Sequence, residues 1–268
     1  MRFQKIGLIG CGNMGSALAA TIQKEGRSIY LSNRTVSKAE TLARSIGASV
    51  STNLEIAGVC DLILLGVKPQ MMPGLLRELS DTLSSRSTPF VLVTMAAGLT
   101  METVQQLAGA PYPVIRIMPN TPASIGMGMI LSCDTGVSQE ETAEFCTLLS
   151  GAGRLDALPE SLIDAGSAIS GCGPAFAYLF LEALADGGVA CGLPRAKAQE
   201  YAAQTLAGAA ELVLQSGQHP GTLKDAVCSP AGTTIQGVRA LERSGLRSAA
   251  MEAVIAAYEK TCALAQKG

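Results

Sequence analysis

The stretch KIGLIGCGNMGSAL, residues 5–18, spaces Gly10, Gly12 and Gly15 as G-x-G-x-x-G, directly after an apolar strand-like run and at the start of a helix-like one. Each glycine meets a steric demand: a tight turn, close backbone approach to a pyrophosphate, and close packing of helix on strand. The helix start that follows, at Asn13 and Met14, offers unpaired N–H groups and partial positive charge to phosphates. In isolation the spacing is a weak signal. At the first turn of a β-α-β unit it makes the first half of the chain a dinucleotide-binding sheet. The early positive charges and the apolar run superficially resemble a secretory leader, but Gly7, Gly10, Gly12 and Gly15 interrupt the apolar segment a leader needs.

Apolar runs predict strands over 5–9, 28–32, 48–51, 62–67, 90–95, 113–118 and 127–132, with helices over 12–24, 37–46, 72–83 and 101–107. This alternation predicts an α/β fold with a parallel, doubly wound sheet. Strands stop at about residue 160. A helix over 161–190 is interrupted at SGCGPA, where Gly171, Gly173 and Pro174 break or kink it. Pro194 then precedes an alanine-rich helix, and a last helix covers 245–265. Ala and Gly crowd the faces of these helices. Small side chains let helix axes approach closely, and so few charges hide too little apolar surface in one copy, so the helical half predicts a two-fold homodimer.

Composition narrows the partners. A formal net charge of -2 over 268 residues argues against a nucleic-acid surface. Eight scattered cysteines without a CxxC pair, and one histidine, argue against zinc and against a disulfide framework; reduced thiols acting as small apolar fillers are expected. No run offers about 18 uninterrupted apolar residues, so the expectation is a soluble, cytoplasmic protein without a membrane partner.

The end of the second strand bears on the dinucleotide. NAD sites usually place an acid about 20 residues past the glycines, on the ribose 2'-OH. Here the strand ends in Ser32, Asn33 and Arg34, with no acid. Arg34 can pair with a 2'-phosphate while Ser32 and Asn33 donate hydrogen bonds, which favours NADP; a solvated loop arginine is the alternative. Three later strand ends, GVKPQ, TMAAGLT and RIMPNTPASIG, lie where ligands of open α/β sheets bind. Asn120, in the last of them, is a candidate amide contact.

Reduction of a ketone by a nicotinamide calls for a proton donor such as His, Lys or Tyr. The helical half provides poor candidates: His219 sits in a Gln- and Gly-rich loop, and the helix after the SGCGPA break carries no lysine. A protonated imine is already an electrophile and needs only orientation and one hydroxyl. The stretch CSPAGTTIQG, residues 228–237, fits that need, with Ser229, Gly232, Thr233 and Thr234 clustered at a helix start. Free N–H groups, a close-approach glycine and hydroxyls suit a carboxylate; plain N-capping by Ser or Thr is the competing explanation.

The whole chain resembles the pyrroline-5-carboxylate reductase family. The resemblance is carried by GLIGCGNMGSAL, VKPQ, MAAG, RIMPNTPASIGMG, SAISGCGPAFAYLFLEALADGGVACGLPRAKA and, most specifically, LKDAVCSPAGTTIQGVRALERSGLRSAAMEAV. It implies reduction of the cyclic imine 1-pyrroline-5-carboxylate to L-proline with NADPH or NADH, the last step of proline synthesis. It also implies a Rossmann-like NADP-binding domain over 1–158 and an all-helical substrate-binding and dimerisation domain over 159–268. Dimers and higher assemblies of dimers are implied. By motif, Thr234 matches the hydroxyl serving the imine nitrogen, and Ser229, Gly232 and Thr233 lie in the carboxylate loop. Asn53, Val67, Lys68, Pro69, Ala96, Ala97 and Asn120 match cofactor contacts. Some relatives carry an acid at the place of Gly217 and an amide at Ala226, so neither position takes a ligand role. A hydroxyacid dehydrogenase would need a lysine in the helix after the break, and a noncatalytic NADP-binding scaffold would have no use for the carboxylate loop.

Overall fold

The computed structural model describes residues 2–265. Eight strands form one sheet: β1 Lys5–Ile9, β2 Ser28–Ser32, β3 Ser49–Val50, β4 Leu62–Leu65, β5 Val91–Thr94, β6 Val114–Met118, β7 Gly128–Thr135 and β8 Gly153–Ala157. Their order is β3-β2-β1-β4-β5-β6-β7-β8. The order reverses direction between β1 and β4, the switch point where open α/β sheets bind ligands.

β1 to β6 pair in parallel, as expected, whereas β7 runs antiparallel to β6. The connecting residues 119–127 hold one 3-10 turn and are too few for a parallel crossover. β8, parallel to β7, was not foreseen: RLDA alternates polar and apolar residues over four positions only, at the short end of what marks a strand.

Helices cover both faces. α1 Asn13–Gln23 and α6 Gln139–Leu149 pack on one, with α2 Val36–Ile46 beside β2; α3 Asn53–Val59, α4 Met72–Ser84 and α5 Met101–Ala108 pack on the other. The strand period of two shows in β4: Leu62 and Leu64 join the cluster with Leu18, Ile22 and Phe145, while Ile63 and Leu65 join the cluster with Ile56, Leu76 and Val104. α3 and α6 were also unforeseen, although each opens with a capping box, Thr52 with Glu55 and Ser138 with Glu141. That S/T-x-x-E signature was legible in the sequence.

α7 Glu160–Ser170 packs on the sheet through Ile163, which is buried with Met118 and Leu131. Residues 2–172, together with residues 257–265, make one compact unit. Gly173–Ala256 makes the other, with α8 Gly173–Ala190, α9 Arg195–Ser216, α10 Pro220–Ala226, α11 Thr233–Arg243 and the first part of α12 Leu246–Ala265. Its buried centre is Ala185, Ala198 and Ala202. A Cβ on Gly188 would sit 3.2 Å from the Ala198 Cβ, so small residues do bring α8 and α9 close. Tyr178, Leu179, Leu212, Leu214 and Met251 stay more than half exposed. The sequence reading found no run long enough for a membrane span. By length and composition Glu160–Ala190 is long and apolar enough for one, although α7 ends and α8 begins inside it.

A buried cation fastens α7 to the sheet. Arg116, on β6 and 1% exposed, donates to Glu160 Oε1 (3.3 Å) and Asp164 Oδ1 (2.5 Å); Glu160 Oε1 also accepts the Met101 N–H at 2.7 Å. Removing one member of such a network strands the other charges. Arg116→Ala is therefore expected to lower stability by about 3 kcal/mol, toward the lower end of the range for breaking buried pairs because both carboxylates keep partial contact with water. The urea midpoint of unfolding checks it, and a midpoint equal to that of the unaltered chain would refute it.

Candidate active site

The three loop glycines differ in what confines them. Gly10 has φ +105°, a conformation that side chains disfavour, and a Cβ there would lie 2.5 Å from the Gly66 carbonyl oxygen. A Cβ on Gly15 would lie 2.7 Å from the Gly10 oxygen and 3.0 Å from Leu8 Cδ1. Gly12, the N-cap of α1, differs: a Cβ there meets no atom within 4 Å. Protein packing therefore requires glycine at 10 and 15, while at Gly12 it leaves open space. No side chain caps α1, so the N–H groups at Asn13 and Met14 face that space. An open cradle before an uncapped helix N-terminus fits a pyrophosphate.

β2 ends against the same loop, the Gly10 N–H donating to the Ser32 carbonyl at 2.8 Å. Asn33 Oδ1 accepts the Cys11 N–H at 3.0 Å and its Nδ2 donates to the Thr35 carbonyl at 2.9 Å. Ser32 Oγ donates to Asn53 Oδ1 at 2.7 Å. The Ser32 proton is thus held inside the protein, and Asn33 keeps one amide hydrogen for a ligand. Arg34 is exposed in the bend that follows and has no ion pair among the described residues. Beside the loop an open depression of about 380 Å³ is lined by Cys11, Ser16, Ser37, Lys38 and Thr41, among others.

β2, β1, β4, β5 and β6 are neighbours running in parallel, so their carboxyl ends share one edge of the sheet. That edge gathers Ser32 to Arg34, the glycine loop, Val67 to Pro69, Ala96 with Ala97, and Asn120. Lys68 and Ala97 are exposed there, and Ala96 is buried. Asn120 is largely committed to structure: its Nδ2 donates to the Ser170 carbonyl (2.9 Å) and its Oδ1 accepts the Met129 N–H (2.9 Å). Glu78 was missed by sequence reasoning. It accepts from Asn53 Nδ2 at 3.1 and 3.2 Å, and no spacing in the sequence links residues 53 and 78.

In the helical unit, a turn closed by the Gly232 N–H on the Ser229 carbonyl (3.0 Å) leads into α11. Ala231 takes φ +58° in it. A Cβ on Gly232 would overlap Ser229 Oγ, which can rotate away, and would lie 3.1 Å from the Ser229 carbonyl oxygen. Gly232 is the N-cap, so no side chain caps the helix, and among the described residues no intramolecular hydrogen bond occupies the hydroxyls of Ser229, Thr233 or Thr234. Plain N-capping, the competing explanation, is not seen, since Gly232 holds the N-cap position and none of these hydroxyls makes a cap bond.

Several titrating groups are engaged within the protein, while the Lys68 ammonium at the strand-end edge is exposed and has no ion pair among the described residues. Lys224 Nζ donates to Asp225 Oδ1 at 2.5 Å, and that bond raises its pKa, keeping it an ammonium; Lys197 Nζ donates to Glu200 at 2.9 Å. His219 caps α10, its Nδ1 accepting the Gly221 N–H at 3.0 Å. Burial pushes the Cys60 thiol up to about 12 and, with nearby Glu160 adding to it, the Cys133 thiol up to about 11, so both stay protonated fillers.

The sheet order and the glycine loop define a Rossmann-type dinucleotide-binding domain, and the family models make it that of an NAD(P)H-dependent oxidoreductase. Residues 5–98 match the family model described as NADP oxidoreductase coenzyme F420-dependent, and residues 160–264 match pyrroline-5-carboxylate reductase dimerisation. The chain is 42% identical to pyrroline-5-carboxylate reductase 3 of Danio rerio, over 98% of this chain and 92% of that one. It is 38% identical to the Escherichia coli K12 pyrroline-5-carboxylate reductase, over 96% and 97%. The crystal structure of Plasmodium falciparum pyrroline carboxylate reductase with NADP bound superposes with TM-score 0.85 at 32% identity, covering 99% of each chain. The chain belongs to the pyrroline-5-carboxylate reductase family.

The contrast among the glycines can be tested directly. Gly12→Ala is expected to keep the melting temperature and weaken NADPH binding about 10-fold or more, because the methyl enters only the open cradle. Gly10→Ala is expected to destabilise the fold itself. Fluorescence titration of NADPH beside thermal melts reads both; equal melting losses in the two variants would sink the distinction.

Proposed function

We propose that this chain performs its family's reaction, reduction of 1-pyrroline-5-carboxylate to L-proline with NADPH or NADH, using hydroxyls and backbone N–H groups without a titrating catalyst. The division of labour follows the chain. Residues 1–158 hold the dinucleotide, through Gly10, Gly12, Asn13, Met14 and Gly15 at the pyrophosphate, with Ser32, Asn33, Arg34 and Asn53 at the adenosine end. Val67, Lys68, Pro69, Ala96, Ala97 and Asn120 line the remaining strand ends. Residues 159–268 hold the imino acid and the second copy.

Reduced nicotinamide supplies the hydride. The ring C=N bond, protonated at nitrogen, accepts it at carbon, and the electron pair of the C=N bond quenches the charge on nitrogen. Charge falls rather than grows at the heteroatom, so no strong acid is needed. Ser229, Thr233 and the free N–H groups at the start of α11 bind the carboxylate and orient the ring. The Thr234 hydroxyl donates to the nitrogen as its charge disappears. The single observation that carries this reading is the set of three unoccupied hydroxyls at an uncapped helix start.

The partner is a second copy of this chain rather than nucleic acid or a membrane. The exposed apolar residues of α8, α9 and α12 lie within the region matched to the family's dimerisation model. A cytoplasmic homodimer, its dimers able to build a larger ring, completes the proposal.

Thr234→Ala is expected to lower kcat by roughly 10-fold to 1000-fold, with little change in NADPH affinity, as for a lost positioned donor. Unaltered turnover removes Thr234 from the mechanism. Light scattering is expected to give at least a dimer; a stable monomer at micromolar concentration refutes the assembly.

A further inference from the structure

We infer that Glu78, on α4, is a positioning residue that biases the adenosine end of the site toward a ribose hydroxyl and so sustains use of NADH. The inference rests on the reading above that β2 ends at the adenosine ribose.

Hydrogen-bond chemistry dictates the direction of every bond in the relay. A carboxylate only accepts, so Asn53 must turn its Nδ2 to Glu78, where the contacts are 3.1 and 3.2 Å. Asn53 Oδ1 then faces Ser32. An amide oxygen only accepts, so the Ser32 hydroxyl must donate its single proton inward, at 2.7 Å. Ser32 is only 9% exposed, and what its Oγ has left to offer a ligand is lone pairs alone. A ribose 2'-OH can donate to them, whereas the oxygens of a 2'-phosphate cannot. Arg34, exposed two residues further on, favours the phosphate. Two opposed preferences therefore meet at one strand end: a cation for NADPH and an acceptor, enforced from Glu78, for NADH. The usual acid at the end of β2 is missing, and its influence arrives instead through two side chains from α4.

Glu78→Gln breaks the enforcement. A glutamine amide can present either its oxygen or its nitrogen, so Asn53 is free to flip and Ser32 to turn its proton outward. The ratio of kcat/KM with NADPH to that with NADH should rise roughly 2-fold to 10-fold, the worth of one hydrogen bond. In a Ser32→Ala background, where the acceptor is gone, the same substitution should leave the ratio where Ser32→Ala put it. An unchanged ratio in Glu78→Gln, or equal losses with both cofactors accompanied by a lower melting temperature, overturns the relay and makes Glu78 merely structural. Arg34→Ala separates this inference from its premise. If Arg34→Ala raises KM for NADPH far more than for NADH while Glu78→Gln leaves the ratio alone, the relay alone falls. If Arg34→Ala affects both cofactors equally, the placement of the ribose at β2 falls with it.

Discussion

The close approach of two glycines at the ends of β1 and β4 is the constraint on which the nucleotide end depends. A Cβ on Gly10 would lie 2.5 Å from the Gly66 oxygen, and one on Gly66 would lie 2.6 Å from the Gly10 oxygen. The two strand ends touch through bare backbone at the point where the order of the sheet reverses. With any side chain there, β1 and β4 could not keep their register and the loop leading into α1 would be displaced. Gly15 seals the far side of the same turn against Leu8, which leaves Gly12 as the loop glycine that faces open space.

From that edge α7 is tied to the sheet by polar bonds at its two ends as well as by the apolar contact of Ile163 with Met118 and Leu131. Arg116 reaches two carboxylates of α7 near its start, and Asn120 holds the Ser170 carbonyl at its end, so one helix is fixed to β6 at both ends. One tether lies on β6 and the other stands two residues past its carboxyl end. Asn120 thereby does more than a cofactor contact would: it joins β6, β7 and α7.

The chemistry is consistent with what the chain lacks. Its histidine is a helix cap, Lys197 and Lys224 are paired with carboxylates, and its most buried thiols stay protonated. An enzyme reducing a neutral carbonyl would be poorly served by such groups. An imine that is already charged requires orientation, which a helix start with three unoccupied hydroxyls can supply.

Much of this was legible in the sequence because it is local. The glycine spacing, the period-two strands, the break at SGCGPA and the hydroxyl cluster ahead of α11 each depend on residues a few positions apart, and steric rules act at that range. β8 was passed over although RLDA alternates polar and apolar residues, because the run is short and its place follows from pairing with β7. The antiparallel turn at β7 depended on a connection too short for a crossover, and α3 and α6 were passed over despite their capping boxes. The sequence by itself determined where spaced glycines and clustered hydroxyls stand ahead of helix starts. The tertiary structure alone decided which side chains keep a free donor: Ser32 gives its proton to Asn53, and Asn53 is held by Glu78, 25 positions away along the chain. A hydrogen bond is set by distance in space and by which group can donate, and neither is written in the spacing of residues along the chain.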